Sequence, residues 1–230
     1  MVQLWRYPVK SMAGEALDES ELSWHGLVGD RRWAFIRPGL ERSGFPWLTM
    51  RERPAMAHYR PRFAEPHQPD KSPTIVRTPG GGDLDIVDPA LAAELGGGVR
   101  VIKQDRGVFD TFPLSLITTQ TIAALGARVG AELAVERFRP NLLVEADGGA
   151  GFPEDDWVGA VLCIGGAEVR IDKRDQRCVM VNIDPTTTER DPAILKAIAA
   201  ERAACLGVYG STVRPGRIAI GDPVLLKPDP

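Results

Sequence analysis

Short runs in which hydrophobic and polar residues alternate make up most of the chain. A period of two is that of a pleated strand, and proline and glycine separate the runs as turn residues do. In the first third, the pattern predicts strands over 2–9, 22–24, 32–36, 56–63 and 74–77. In the remainder it predicts a strand that opens at Pro113, and others over 142–144, 157–164, 167–171, 179–183, 217–220 and 224–226.

Three segments have helical spacing and end signals instead. The first, 88–96, and the third, 191–204, each begin with an Asp-Pro pair, in which the aspartate caps the helix and the proline takes the first helical position. The second covers 118–129 and ends at Gly130. So many short strands without a regular alternation of strand and helix argue for a closed or nearly closed antiparallel barrel. We therefore predict a mainly β fold with a few helices, and a domain boundary at the flexible glycines 96–98.

Composition excludes several classes of function. The net charge of −3 argues against a nucleic-acid binder driven by bulk electrostatics. No apolar stretch approaches the ~18 residues that span a bilayer, and the N-terminus has no signal-peptide pattern, so we expect no membrane partner. Three cysteines are an odd count without framework spacing, which predicts reduced thiols and a cytoplasmic location.

Cys178 is the strongest candidate for chemistry. It stands just before the predicted strand 179–183 and follows a charged segment, taken as a turn, that contains Lys173, Arg174 and Arg177. Cationic neighbours favour the thiolate, the form that attacks electrophiles and binds metals. The alternative is a half-buried cysteine that packs as a small hydrophobe. The sequence leaves both interpretations open.

Four polar or basic clusters stand at predicted strand ends, at 7–11, 29–33, 137–141 and 206–209. The planar fork of arginine suits phosphate or carboxylate, and Lys10 beside Ser11 offers a charge and a hydroxyl to one anion. Each cluster alone is more typical of a solvated surface. Together they suggest a site for an anionic, phosphorylated ligand near a thiolate. The sequence has neither the close Cys and His spacing of a zinc site nor a hydrolase nucleophile motif.

Eight motifs in this order resemble the MOSC family, named for the molybdenum cofactor sulfurase C-terminal domain, with its N-terminal β-barrel domain. The chain is most similar to the mitochondrial amidoxime-reducing component and its bacterial relatives. The motifs are Tyr-Pro-Val-Lys-Ser (7–11), Gly-Asp-Arg-Arg-Trp (29–33), Thr-Met-Arg-Glu-Arg-Pro (49–54), Asp-Thr-Phe-Pro-Leu (110–114), Phe-Arg-Pro-Asn (138–141), Arg-Cys (177–178) with Asp-Pro (184–185), Leu-Gly-Val-Tyr (206–209) and Ile-Gly-Asp-Pro-Val (220–224). The resemblance implies an N-terminal β-barrel-like domain over 1–97 and a cofactor-binding MOSC β-barrel domain over 98–228.

The resemblance also implies a molybdenum cofactor, that is, molybdenum held by molybdopterin. Cys178 would be the catalytic metal ligand, which suits a soft thiolate. Lys10, Ser11, Arg31 and Arg139 would hold the pterin and its phosphate. Further cofactor-binding positions, by match of motif, would be Thr111, Phe112, Asn141, Gln176, Arg177 and Tyr209.

The activity implied is a two-electron reduction of N-hydroxylated compounds such as amidoximes, hydroxylamines and N-hydroxylated bases. Because no cysteine cluster for an iron–sulfur centre follows the last motif, we expect a separate electron-donor protein. The residues between Cys178 and Asp184 lack the hydroxyl groups usual in the reductases, which leaves the choice of substrate open. The rival is a binding or carrier module that holds the cofactor, or passes sulfur through a Cys178 persulfide, without turnover.

Overall fold

The computed structural model describes residues 1–148 and 151–228, and it confirms the mainly β fold. The described residues contain sixteen strands and three α-helices. In the first half lie β1 (Gln3–Arg6), β2 (Glu15–Leu17), β3 (Glu19–Ser23), β4 (Gly26–Leu27), β5 (Trp33–Ile36), β6 (Arg60–Phe63), β7 (Thr74–Arg77), β8 (Asp83–Asp85) and β9 (Arg100–Lys103). In the second half lie β10 (Leu114–Thr118), β11 (Leu142–Val144), β12 (Val161–Ile164), β13 (Ala167–Gln176), β14 (Cys205–Arg214), β15 (Gly216–Ala219) and β16 (Val224–Leu226).

The three helices are the predicted ones: α1 (Pro89–Leu95), α2 (Thr119–Val129) and α3 (Pro192–Arg202). The side chains of Asp88 and Asp191 accept hydrogen bonds from the amides two residues on, as N-caps do. Thr118 caps α2, and Gly130 ends it in the left-handed conformation. Local capping signals therefore located all three helices.

The largest sheet has eight strands in the order β16-β12-β13-β14-β10-β11-β1-β2 and curls into a half-barrel. Its inner face is a core of leucine, isoleucine and valine that includes Leu116, Leu142 and Val208. Strand β1, from the start of the chain, pairs with β11, so that Gln3 lies opposite Leu143. The first turn after β1 therefore leaves the sheet beside residues from the middle of the chain.

Smaller sheets complete the N-terminal half. Strands β6, β7 and β8 form one antiparallel sheet, and β5 pairs with β9. A second hydrophobic core packs beneath them and includes Phe35, Met56 and Leu91. A third core joins α2 and α3 to the outside of the large sheet. The division of the chain at 97 and 98 stays a prediction.

The prediction of a strand over 179–183 is wrong. Residues Val179–Asn182 form a 3₁₀ helix, in which the Val181 amide donates to the Cys178 carbonyl and the Ile183 amide to that of Met180. Val181 and Ile183 are buried while Val179 is exposed, so the three residues do not share one buried face as a strand over 179–183 would require. The charged segment before Cys178, interpreted as a turn, is instead the end of β13.

The pairing of β13 with β14 explains why the charged segment is a strand and not a turn. Strand β14 runs through Gly207 and Gly210. A Cβ at Gly210 would lie 2.7 Å from the Arg170 carbonyl oxygen of β13. Glycine is thus required for the close approach of two long strands. Cys178 consequently follows directly from the sheet.

Candidate functional site

One cavity of about 390 Å³ opens between the two halves of the chain. Its walls come from turns after β1 and before β5, from the loop before β10, and from the end of β13. Ten of the eleven residues predicted for the site line it: Lys10, Ser11, Arg31, Thr111, Phe112, Arg139, Gln176, Arg177, Cys178 and Tyr209. Residues from all four motifs, 7–11, 29–33, 137–141 and 206–209, line this cavity.

The basic cluster consists of Lys10, Arg31 and Arg139. Backbone pairing sets its geometry, because the Lys10 amide donates to the Trp33 carbonyl and the Arg31 amide to the Tyr7 carbonyl. Nη2 of Arg31 also donates to the Arg139 carbonyl at 3.2 Å. Three segments that are far apart in sequence are thus joined by direct hydrogen bonds.

Ser11, Arg31 and Arg139 share an unusual backbone conformation, with φ of 65°, 48° and 52°. Left-handed geometry is unfavourable for residues with a Cβ. Such strain persists only where the surroundings hold it, and it is concentrated at functional sites. Among the described non-glycine residues with positive φ, half lie at this one cavity. The strain therefore marks the cavity as a functional site independently of its charge.

The three cations of the basic cluster have different partners. Nζ of Lys10 donates to Asp110 at 2.5 Å and to the Val108 carbonyl, and burial lowers the pKa of Lys10 although Asp110 opposes the shift. Arg31 forms an ion pair with the buried Asp30. Arg139 donates to the Met12 carbonyl at 2.6 Å, and no carboxylate pairs with it among the described residues. Desolvation lowers the pKa of Arg139 to about 10, so it is still a cation at neutral pH.

Tyr7 lies behind the basic cluster and was not predicted as a site residue. The guanidinium carbons of Arg139 and Arg31 lie 4.3 Å and 5.0 Å from the centroid of its ring. Its backbone amide donates to Asp30 at 2.7 Å. Burial raises the pKa of the Tyr7 phenol, and the two arginines only partly offset this effect.

Asn141, the eleventh predicted residue, is fully buried and is not part of the cavity lining. Its Oδ1 accepts from Nη1 of Arg31 at 3.2 Å and from the Ser115 amide at 3.1 Å. Its Nδ2 donates to the Trp5 carbonyl. Asn141 therefore orients Arg31 and joins β1 to β10.

The thiol segment, residues 175–178, forms the opposite wall. Arg177 donates to the carbonyls of Phe138 and Leu206 at 2.8 Å and 2.7 Å and pairs with Asp175 at 2.9 Å. Its Nη2 is buried and has no hydrogen-bond partner in the described part of the chain. Arg177 is thus a structural anchor that ties the cavity wall to two other segments.

Asp175 is 2% exposed and takes part in a buried polar network. Ser115 donates to it at 3.3 Å, and the phenol of Tyr209 is close enough to lower its pKa. Burial raises the pKa of Asp175, whereas Arg177 and both of these neighbours lower it. Burial, followed by the charge of Asp175, raises the pKa of Tyr209. The ring of Phe112 stacks on Tyr209 at 6.0 Å.

Cys178 is half-buried, and Nη2 of Arg51 lies 3.3 Å from its Sγ. Arg51 was missed as a site residue, although its motif, 49–54, contributed to the resemblance. Its guanidinium also lies 5.1 Å from the Phe45 ring centroid. A hydrogen bond from Arg190 to the Arg51 carbonyl fixes the backbone here. The cation nearest to the sulfur thus comes from a segment 127 residues away.

Thr111 and Gln176 line the cavity with exposed side chains, and Phe112 is half-buried. No cluster of three or more His, Cys, Asp or Glu residues that could hold a metal occurs within the described ranges. No helix in those ranges is long and apolar enough to cross a membrane.

Two family models together cover residues 1–225 of the chain. The family model of the MOSC domain matches residues 103–225, and the model of the MOSC N-terminal beta barrel domain matches 1–105. The chain is 31% identical to mitochondrial amidoxime reducing component 2 of Homo sapiens over 50% of its length. It is 25% identical to the molybdenum cofactor sulfurase of Drosophila grimshawi over 97% of its length.

The matched regions make up 37% and 34% of those two proteins, so the chain spans about a third of each curated relative. Among solved structures, the YuaD protein from Bacillus subtilis aligns with a TM-score of 0.52 at 13% identity. That alignment covers 96% of this chain and 91% of the other. At this identity, the likeness is one of fold.

Proposed function

Because the chain belongs to the MOSC domain family, we propose that it is a molybdenum cofactor-dependent oxidoreductase that reduces N-hydroxylated compounds. Substrates would include amidoximes, hydroxylamines and N-hydroxylated bases. In the overall reaction, two electrons and two protons cleave the N–O bond, and the oxygen leaves as water. The electrons come from a separate electron-donor protein. The three unpaired thiols suit the reducing cytoplasm.

One observation carries the proposal: the basic cluster and the thiol of Cys178 line the same cavity. A phosphate needs several convergent donors, and charge-assisted hydrogen bonds from arginine and lysine are the strong ones. A thiolate is a suitable ligand for a soft or redox-active metal. Few other ligands would use a phosphate site and a metal-binding sulfur at once.

The donor set fits the cofactor. Arg139 lines the cavity and has no carboxylate partner among the described residues. A desolvated cation without an anion is costly unless a ligand supplies the missing charge. When bound, molybdopterin would supply a metal that exchanges two electrons and accepts the substrate's oxygen.

The protein's own residues would bind and orient. Lys10, Ser11, Arg31 and Arg139 would hold the phosphate and the pterin, and Cys178 would ligate the metal. Thr111, Phe112, Gln176, Arg177 and Tyr209 would line the remaining surface. Asn141 would act through Arg31.

The test combines metal analysis with turnover. Protein made in a cofactor-competent host should contain near-stoichiometric molybdenum and reduce benzamidoxime anaerobically with an artificial reductant. Cys178→Ala should abolish turnover, because the metal loses its one predicted protein ligand. The half-buried side chain adds little packing, so the change should lower the free energy of unfolding by no more than about 1–2 kcal/mol.

Cys163→Ala and Cys205→Ala are the matched controls, since both thiols are also half-buried. Both should retain activity and lose at most some stability. Full turnover by Cys178→Ala would defeat the assignment of the ligand. A wild-type protein without molybdenum would defeat the function itself.

The second candidate is the carrier module. The sulfurase relative aligns over 97% of the chain, and the half-buried Cys178 sulfur faces a cavity that could hold a persulfide. A protein that binds the cofactor, reduces none of these substrates and releases sulfide from Cys178 on treatment with dithiothreitol would favour this reading.

A further inference from the structure

Tyr7 combines features that packing alone does not explain. Its side chain is 1% exposed, and its hydroxyl makes no hydrogen bond within the described part of the chain. The guanidinium groups of both Arg31 and Arg139 lie over its ring. The neighbouring side chains therefore interact with the face of the Tyr7 ring and not with its hydroxyl.

Two guanidinium groups at one ring repel each other. The carboxylate of Asp30 pairs with Arg31 but forms no ion pair with Arg139 among the described residues. The negative face of an aromatic ring attracts cations, most strongly where water is excluded. One ring that contacts both cations can thus hold them together without neutralising either of them.

The ring is itself held in position. The Tyr7 amide donates to Asp30, and the Tyr7 carbonyl accepts from the Arg31 amide at 2.7 Å. Gly14 packs against the ring edge, where an added Cβ would lie 2.6 Å from Cε1. Backbone hydrogen bonds and packing together fix the Tyr7 ring relative to the backbone of Arg31.

We propose that Tyr7 is a positioning residue: its ring holds the guanidinium groups of Arg31 and Arg139 at one cavity, so that a site for a phosphate monoester exists before the ligand arrives. Groups that are ordered in advance do not lose that freedom on binding. The inference rests on the anion site of the proposed function, but it requires neither metal nor turnover.

The experiment measures binding of inorganic phosphate to the cofactor-free, full-length chain by calorimetry at low ionic strength. Tyr7→Phe keeps the ring face and should retain affinity within about twofold. Tyr7→Leu removes the face and should weaken binding about tenfold. Gly14→Ala displaces the ring without altering any charged residue, and it should weaken binding as well.

Phe63→Leu is the matched control. Phe63 is 2% exposed, and the Arg6 guanidinium lies 4.7 Å from its centroid, yet it is outside the cavity. This change should lower the melting temperature while the phosphate affinity stays the same. If Tyr7→Leu does not fold, pentafluorophenylalanine at position 7 keeps the shape and reverses the ring quadrupole, and it should weaken binding.

The results separate the two proposals. Equal phosphate affinity in wild type, Tyr7→Leu and the pentafluoro variant overturns the role of Tyr7, whatever the metal content. Wild-type protein that does not bind phosphate also overturns the inference, and its molybdenum content decides the proposed function separately. If phosphate binding depends on Tyr7 but protein from the cofactor-competent host contains no molybdenum, the inference holds and the proposed function fails.

Discussion

The basic cluster and the thiol segment line the same cavity, but the chain builds them differently. In the thiol segment, Arg177 and Asp175 form a buried ion pair, and Arg177 also binds two carbonyls. In the basic cluster, Arg139 has one carbonyl partner, an aromatic ring and a strained backbone. Arg177 thus finds most of its partners within the protein, whereas the charge of Arg139 remains available to a ligand.

This difference suggests how to distinguish a buried arginine that stabilises the fold from one that binds a ligand. A buried cation whose partners are all internal stabilises the fold, and its removal leaves a buried anion. A desolvated cation without an anion reduces stability until a ligand arrives. Arg177 and Arg139 should therefore respond to the same substitution in opposite ways.

The largest effect is expected for Arg177→Met. It removes the hydrogen bonds to Phe138 and Leu206 and leaves Asp175 buried without its cation. Breaking a buried pair in this way costs about 3–5 kcal/mol. Denaturant unfolding should show this loss in the free energy of unfolding, and Gln176→Ala, at an exposed neighbour, is the control. A loss below 1 kcal/mol would remove the structural role from Arg177.

Arg139→Met should show the opposite pattern. Its free energy of unfolding should change by less than about 1 kcal/mol, because no paired carboxylate loses its cation. Its affinity for phosphate should fall by about 10–100-fold, the worth of a charge-assisted hydrogen bond. Calorimetry and denaturant unfolding measure the two quantities. Large destabilisation with unchanged phosphate affinity would erase the contrast with Arg177.

The smallest effect concerns Arg137, another arginine of the cavity, through its partner Asp184. Hydrogen bonds from the Thr187 and Thr186 amides, together with Arg137, lower the pKa of Asp184 below its ordinary value of 3.8. The ionised form is thus favoured in the folded state. Its contribution to stability is complete above pH 3.8 and is lost as the pH falls through the folded pKa.

Asp184→Asn should therefore flatten the decline in melting temperature below about pH 4. The matched control is Asp18→Asn, at an exposed position, which should leave the wild-type profile intact. If the profiles of wild type and Asp184→Asn fall in parallel, the carboxylate does not contribute to the stability of this turn.

The sequence predicted the helices because their signals are local. Asp88 and Asp191 cap amides two residues away, so a few neighbouring residues in the sequence are enough to locate the helix starts. The ten cavity residues were found through motifs, and spacing alone did not show that Lys10 and Arg139 meet. Their meeting depends on the pairing of β1 with β11, which no local pattern reports.

The errors have the same origin. Segment 172–176 is polar and charged like a turn, and only its pairing with β14 shows that it is part of a strand. The glycines at 207 and 210 make β14 itself hard to predict as a strand. Tyr7 and Arg51 both stand in quoted motifs, yet their roles depend on contacts with Arg139 and Cys178 more than 120 residues away. Sequence motifs supply candidate residues, whereas contacts in the folded structure determine which candidates contribute to the site.

The pairing of β1 with β11 also constrains the order of synthesis. Gln3 emerges from the ribosome long before its partner, Leu143, and closing so long a loop is slow. The nascent N-terminal half can form its local β6–β8 sheet and the β1–β2 pair early, while the other edge of β1 waits for β11. The anion site can thus assemble only after translation has passed the middle of the chain, and a product truncated before then keeps an open strand edge that is prone to aggregation.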